Sequence, residues 1–135
     1  MVCPEVEIGM TVPRPAVQLY GTLDAIEVRG RDDTSIDITA KMNRYCQQQP
    51  AELRNIHGYI FKSKSPSCGI RDIPLFNSHG EITDSTRGVF AQAVLQHYPD
   101  LPITDEQGLL TPSHCEHFLN QVKLYQEKQI CLKNQ

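Results

Sequence analysis

The five cysteines of this chain, Cys3, Cys46, Cys68, Cys115 and Cys131, include no C-x-x-C pair. That excludes zinc-ribbon and thioredoxin-type spacings. Their odd number and wide spacing also argue against a disulfide framework. Basic charge is not in excess. The formal net charge is −3 and the pI is near 5.9, so the footprint expected of a protein that grips a nucleic-acid duplex is missing. No run approaches the ~18 apolar residues of a membrane span. The first residues lack the charged and then apolar segments of a secretory signal. The expectation is a cytoplasmic protein with reduced thiols, no membrane partner and no duplex partner.

What is present suits one globular domain, or one domain with part of another. The 135 residues are 39% hydrophobic and 21% charged, enough to bury a core without staples. The segment from Met1 to Leu19 reads as extended and loop-like, because Gly9, Pro13 and Pro15 exclude a helix there. Pro13-Arg14-Pro15 sets a rigid loop. Its arginine is either solvated or a contact for an anion or carbonyl near Cys3. Ala25 to Arg29 alternates like a half-exposed strand. Asp37 offers a cap for a helix to about Gln49, with Ile38, Met42, Tyr45 and Cys46 on one face. Pro50 interrupts it.

Gly58-Tyr59-Ile60-Phe61-Lys62 reads as a buried strand. It breaks into Ser63-Lys64-Ser65-Pro66-Ser67-Cys68-Gly69, a tight turn at the end of a strand, where α/β folds commonly hold ligands. Ile73 to Phe76 predicts a short strand that Pro74 would put at an edge. Residues 81–87 read as a polar loop and His79 as solvated. Gly88 to Tyr98 predicts a helix with Val89, Phe90, Ala93, Val94 and His97 toward the core. Asp105 to Gly108 reads as a surface turn. Thr111-Pro112 opens a helix with Cys115, Phe118, Leu119, Val122 and Tyr125 on one stripe. Cys46 and Cys115 read as packing and Cys131 as a frayed tail. His114 and His117 flank Cys115 without sharing its face. Strands alternating with helices predict an α/β fold with a small, mostly parallel sheet flanked by helices. About three short strands are visible, few for a parallel sheet covered on both faces.

Cys3-Pro4-Glu5-Val6, Gly9, Pro13-Arg14, Asp37-Ile38-Thr39, Gly58 through Gly69 and Arg87-Gly88-Val89-Phe90-Ala91 occur in this order. Together they resemble the bacterial 2-thiouracil desulfidase family. The Ser-Pro-Ser-Cys-Gly turn and the Cys-Pro-Glu triplet are the specific parts. The resemblance implies a 4Fe–4S cluster on three cysteines with one iron open to substrate, a small thiolated base. It also implies non-redox desulfuration that releases sulfide. Carried over residue by residue, Cys3 and Cys68 match metal ligands, Glu5 and Ser65 match proton-handling positions, and Ser67 matches a weaker candidate near the cluster. Family members begin with a strand and a Cys-Leu-Leu-Gly-like turn that bears the first cluster cysteine. The likeness here starts at Met1-Val2-Cys3. The expectation is therefore a family domain over residues 1–108 without its first strand and third ligand, then residues 109–135 as the start of a helical second domain. An open sheet edge would favour self-association. The competing readings are a non-catalytic remnant without a cluster, a zinc site on Cys3, Cys68 and His57, and a thiol nucleophile at Cys68.

Overall fold

Gly21 lies at φ 105°, and a Cβ there would sit 2.3 Å from the Ala25 carbonyl oxygen. Only glycine suits that position. It lets β1 (Val17–Thr22) fold back on β2 (Ala25–Gly30) as an antiparallel hairpin through Leu23 and Asp24, in the register Thr22 to Ala25. The structure, a computed structural model, describes residues 3–133. Met1 and Val2, at the head of the segment read as extended, lie outside them.

β4 (Ile73–Phe76) runs parallel to β1 on its other side, and β5 (Ile82–Thr86) pairs antiparallel with β4. The order of this sheet is β2-β1-β4-β5. A second, two-stranded sheet pairs β3 (Tyr59–Phe61) in parallel with β6 (Ile103–Asp105). The helices are α1 (Pro4–Glu7), α2 (Thr39–Glu52), α3 (Val89–His97) and α4 (Pro112–Lys133). The α/β class expected from the alternation holds. The pairing is mixed, two ladders parallel and two antiparallel.

Several local expectations change. The first segment is not wholly extended. Pro4 occupies the start of one helical turn, where its missing N–H costs nothing, and β1 begins at Val17. Pro74 lies in an interior strand, not at an edge. The parallel ladder to β1 begins at Leu75, one residue past the proline, so no bond is lost there. Residues 82–86 form β5, an exposed edge strand whose polarity had read as a loop. α2 continues through Pro50 to Glu52. The Tyr98 hydroxyl donates to the carbonyls of Pro50 (2.9 Å) and Leu53 (3.0 Å), which satisfies that helix end. Asp105 ends a strand, and Glu106–Leu109 form a 3-10 turn. Cys131 stands in the last turns of α4, exposed, rather than in a frayed tail.

The core has two packed clusters. One sets Val17, Leu19, Val28, Ile73 and Leu75 of the larger sheet against Ile38 and Met42. The other gathers Phe61, Cys68, Phe90, Ala91, Val94 and Leu101 around α3. Cys46 packs against both, so its reading as a core residue holds. Ala91 takes the buried place expected of Ala93, and His97 is exposed. On α4, Phe118 is buried while Leu119 is 64% exposed. Phe118 and Val122 lie over Gly58, where a Cβ would fall 2.6 Å from a Val122 methyl. Thr111 caps α4 by accepting from the His114 N–H at 3.1 Å, as Thr111-Pro112 predicts.

Candidate functional site

A cleft of about 980 Å³ opens between the two sheets. Cys3, Glu5 and Arg14 line it from the N-terminal segment, Ser65 and Cys68 from the turn after β3, and Glu106 from the end of β6. Segments more than sixty residues apart therefore meet at one place.

The turn is built by its own side chains. Ser65 Oγ accepts from the N–H groups of Ser67 (3.2 Å) and Cys68 (3.1 Å), and the Gly69 N–H donates to the Ser65 carbonyl at 2.8 Å. Lys64 takes a left-handed φ of 62° to start it. The turn's outward carbonyls then serve α3. Pro66 O accepts from Val89 N–H (3.1 Å), and Ser67 O accepts from the N–H groups of Phe90 (2.8 Å) and Ala91 (3.1 Å). These bonds fill the donors a helix start leaves open. A Cβ on Gly88 would lie 2.6 Å from the Ser67 carbonyl carbon, so the turn can dock only on glycine. Ser-Pro-Ser-Cys-Gly and Arg-Gly-Val-Phe-Ala are thus two halves of one structural unit.

Glu5 is 8% exposed and Ser67 is fully buried. The Ser67 hydroxyl donates to Glu5 Oε2 at 3.1 Å, and Arg14 Nε donates to Glu5 Oε1 at 3.1 Å. Arg14 Nη2 also reaches Cys3 Sγ at 3.4 Å. Of the two readings left open for Arg14, the structure shows the contact: one guanidinium holds a carboxylate and a sulfur. Partnership with Glu5 raises the arginine's own pKa further, chiefly through that hydrogen bond.

Burial, then the nearby charges of Cys3 and Glu5, push the Cys68 thiol up to about 12, with the Ser65 hydrogen bond opposing. The two thiols are close enough to feel each other's charge. A thiol so raised is protonated at neutral pH and a poor nucleophile. A metal would displace that proton outright. The Tyr45 hydroxyl, in the same packed cluster as Cys68, is buried without a hydrogen-bond partner.

Cys3, Glu5, Ser65 and Cys68 are brought to the cleft, while Ser67 stands behind it, holding Glu5. Among the described residues no three His, Cys, Asp or Glu side chains form a group able to hold a metal ion. His57 lies beside the ring of Tyr125, 6.4 Å between centroids, so the zinc triad with Cys3 and Cys68 is not assembled. Burial pushes the Cys46 thiol up to about 11. Cys115 Sγ donates to the Leu109 carbonyl at 3.3 Å, a packing role. His79, His114 and His117 are exposed. Sequence reasoning missed Glu106. Its carboxylate accepts from Lys62 Nζ (2.7 Å), Ser63 N–H (2.9 Å) and Ser63 Oγ (2.6 Å), across more than forty residues. No local pattern signals such a pairing.

The α/β domain thus gathers two cysteines, a held carboxylate and a serine turn at strand ends. The family model for 2-thiouracil desulfurase matches residues 1–106, and the chain belongs to that family. Among solved structures it is similar to a 4Fe–4S-dependent thiouracil desulfidase, TudS, at 25% identity and a TM-score of 0.52. That likeness covers 79% of this chain and 66% of the other. No functionally curated protein matches the chain. No helix among the described residues is long and apolar enough to cross a membrane.

Proposed function

We propose that this protein is a desulfidase that replaces the thiocarbonyl sulfur of 2-thiouracil, or a related thiolated base, by oxygen. The net change is C=S plus water to C=O plus hydrogen sulfide, with no electron gained or lost. The observation that carries the reading is the convergence of Cys3, Cys68 and the Arg14-held Glu5 on one cleft.

The donors present fit a 4Fe–4S centre through two soft thiolate ligands, Cys3 and Cys68, which would hold two of its irons. The unpartnered Tyr45 hydroxyl near Cys68 fits the same reading, since it is a donor waiting for an acceptor. When bound, the centre supplies an open iron as a Lewis acid for the thiocarbonyl sulfur.

The chain's own residues would do the rest. Glu5 takes a proton from the attacking water, as a general base. Its two oxygens are already oriented, Oε1 by Arg14 and Oε2 by Ser67, so little reorganisation is needed. Ser65 Oγ is fixed by two backbone N–H donors, and its hydroxyl stands beside the Cys68 sulfur, where it can turn to a ring oxygen or nitrogen of the base. Arg14 Nη2, 3.4 Å from Cys3 Sγ, orients that sulfur toward the cleft.

Anaerobic reconstitution with iron and sulfide tests the ligand assignment. The native chain should gain broad visible absorption, and Cys3→Ser and Cys68→Ser should lose it. A native chain that gains no such absorption would favour a second reading, a family member without a cluster. The lack of a three-residue metal group among the described residues is the observation on that side.

A further inference from the structure

β3 and β6 run in parallel, with the Tyr59 N–H donating to the Pro102 carbonyl at 3.0 Å and Phe61 opposite Asp105. Two residues further, a continued ladder would set the Ser63 N–H against a carbonyl of residue 106. The chain turns away there into the 3-10 turn Glu106–Leu109. The Glu106 side chain takes the place of the missing carbonyl. Its two oxygens accept the Ser63 N–H at 2.9 and 3.1 Å, and Oε1 also accepts the Ser63 hydroxyl (2.6 Å) and Lys62 Nζ (2.7 Å).

The grip falls one residue before Lys64, whose left-handed φ of 62° a lysine adopts only when its surroundings hold it. On the far side of Lys64, Ser65 Oγ organises the N–H groups of Ser67 and Cys68. Glu106 is itself held on a firm base, because Asp105 is buried and accepts the Gly108 N–H at 3.0 Å.

We infer that Glu106 is a positioning residue: by clamping Ser63 and Lys62 at the exit of β3, it locks the strained turn that presents Ser65 and Cys68 to the cleft. Every contact has the carboxylate as acceptor, so a glutamine keeps at most those on its one oxygen, loses the second contact to the Ser63 N–H and loses the charge that pairs with Lys62. The consequence for catalysis rests on the desulfidase reading, whereas the lock itself does not.

Limited trypsin digestion of the metal-free chain, read by mass spectrometry, tests the lock, because Lys62 and Lys64 are cleavage sites inside it. Cleavage there in Glu106→Gln should rise about tenfold over the native chain, with Lys41 and Lys128 as unchanged internal controls. Ser63→Ala, which removes one of the bonds, should show a smaller rise at Lys64 and carries the test if Glu106→Gln does not fold. Native-like cleavage in the folded variants overturns the proposal. In the reconstituted protein, reduced by one electron with dithionite to its paramagnetic state, Glu106→Gln should also alter the electron paramagnetic line shape, because Cys68 shifts; a general loss of folded protein would lower the signal without changing its shape. If the native chain releases no sulfide from 2-thiouracil, the desulfidase reading fails while the cleavage result still decides the lock.

Discussion

The Ser67 hydroxyl and the Glu5 carboxylate meet at 3.1 Å, 62 positions apart in the chain and both buried. This bond ties the Cys-Pro-Glu turn to the Ser-Pro-Ser-Cys-Gly turn and leaves Glu5 with both oxygens held. Ser67→Ala removes a donor from a buried carboxylate. It should cost about 1–3 kcal/mol of stability, more than Ser65→Ala costs, and it should lower sulfide release as well. Urea unfolding and sulfide assays on both variants check this.

Gly88→Ala should be among the most damaging small changes. The new methyl would meet backbone atoms of Ser67 and Cys68 at 2.6–2.8 Å, and neither belongs to a flexible side chain. Overpacking of this kind costs about 1–3 kcal/mol. Because the turn must shift to relieve it, metal loading at Cys68 should fall even where the variant stays folded. Iron content per folded chain, compared with the native chain, is the measurement.

Tyr45→Phe should have opposite signs in the two states of the protein. In the metal-free chain it deletes a buried hydroxyl without a partner, so stability should rise by about 1 kcal/mol. In the reconstituted chain it should remove a donor near Cys68 and reduce the stabilisation that loading confers. Thermal melts with and without the centre separate these; an equal shift in both would place the hydroxyl on an ordered water instead.

The Glu106 clamp has a defined pH window. Its bonds with Lys62 and Ser63 depress the Glu106 carboxyl from 4.5 to about 2. A carboxyl with a depressed folded pKa stabilises fully above its unfolded value and loses that contribution as pH falls through its folded one. The difference in melting temperature between the native chain and Glu106→Gln should therefore be constant above pH 4.5 and shrink toward pH 2. A difference that stays flat down to pH 2 would mean the charge is not what matters.

Much of the fold was legible because periodicity and caps speak locally. The Ala25–Arg29 alternation, the Met42 face of α2 and the Thr111-Pro112 start all correspond to observed elements. What failed depended on neighbours. Pro74 reads as an edge residue unless one knows that its ladder starts at Leu75. β5 is polar on nearly every residue, so only its pairing with β4 makes it a strand. At the site, the turns that carry Cys3 and Cys68 stood out by their composition, whereas Glu5 and Ser65 came from the resemblance to the desulfidase family. Arg14 was visible as a rigidly held cation, with its target open. Glu106 was invisible, since a surface glutamate in a polar turn carries no sign of a partner 43 residues away.

The central claim is tested most directly by measuring sulfide released from 2-thiouracil by the anaerobically reconstituted chain, with uracil formation followed in parallel. The account predicts equal amounts of sulfide and uracil without added reductant, and loss of both in Cys68→Ser. A loaded native chain that forms neither product would contradict it.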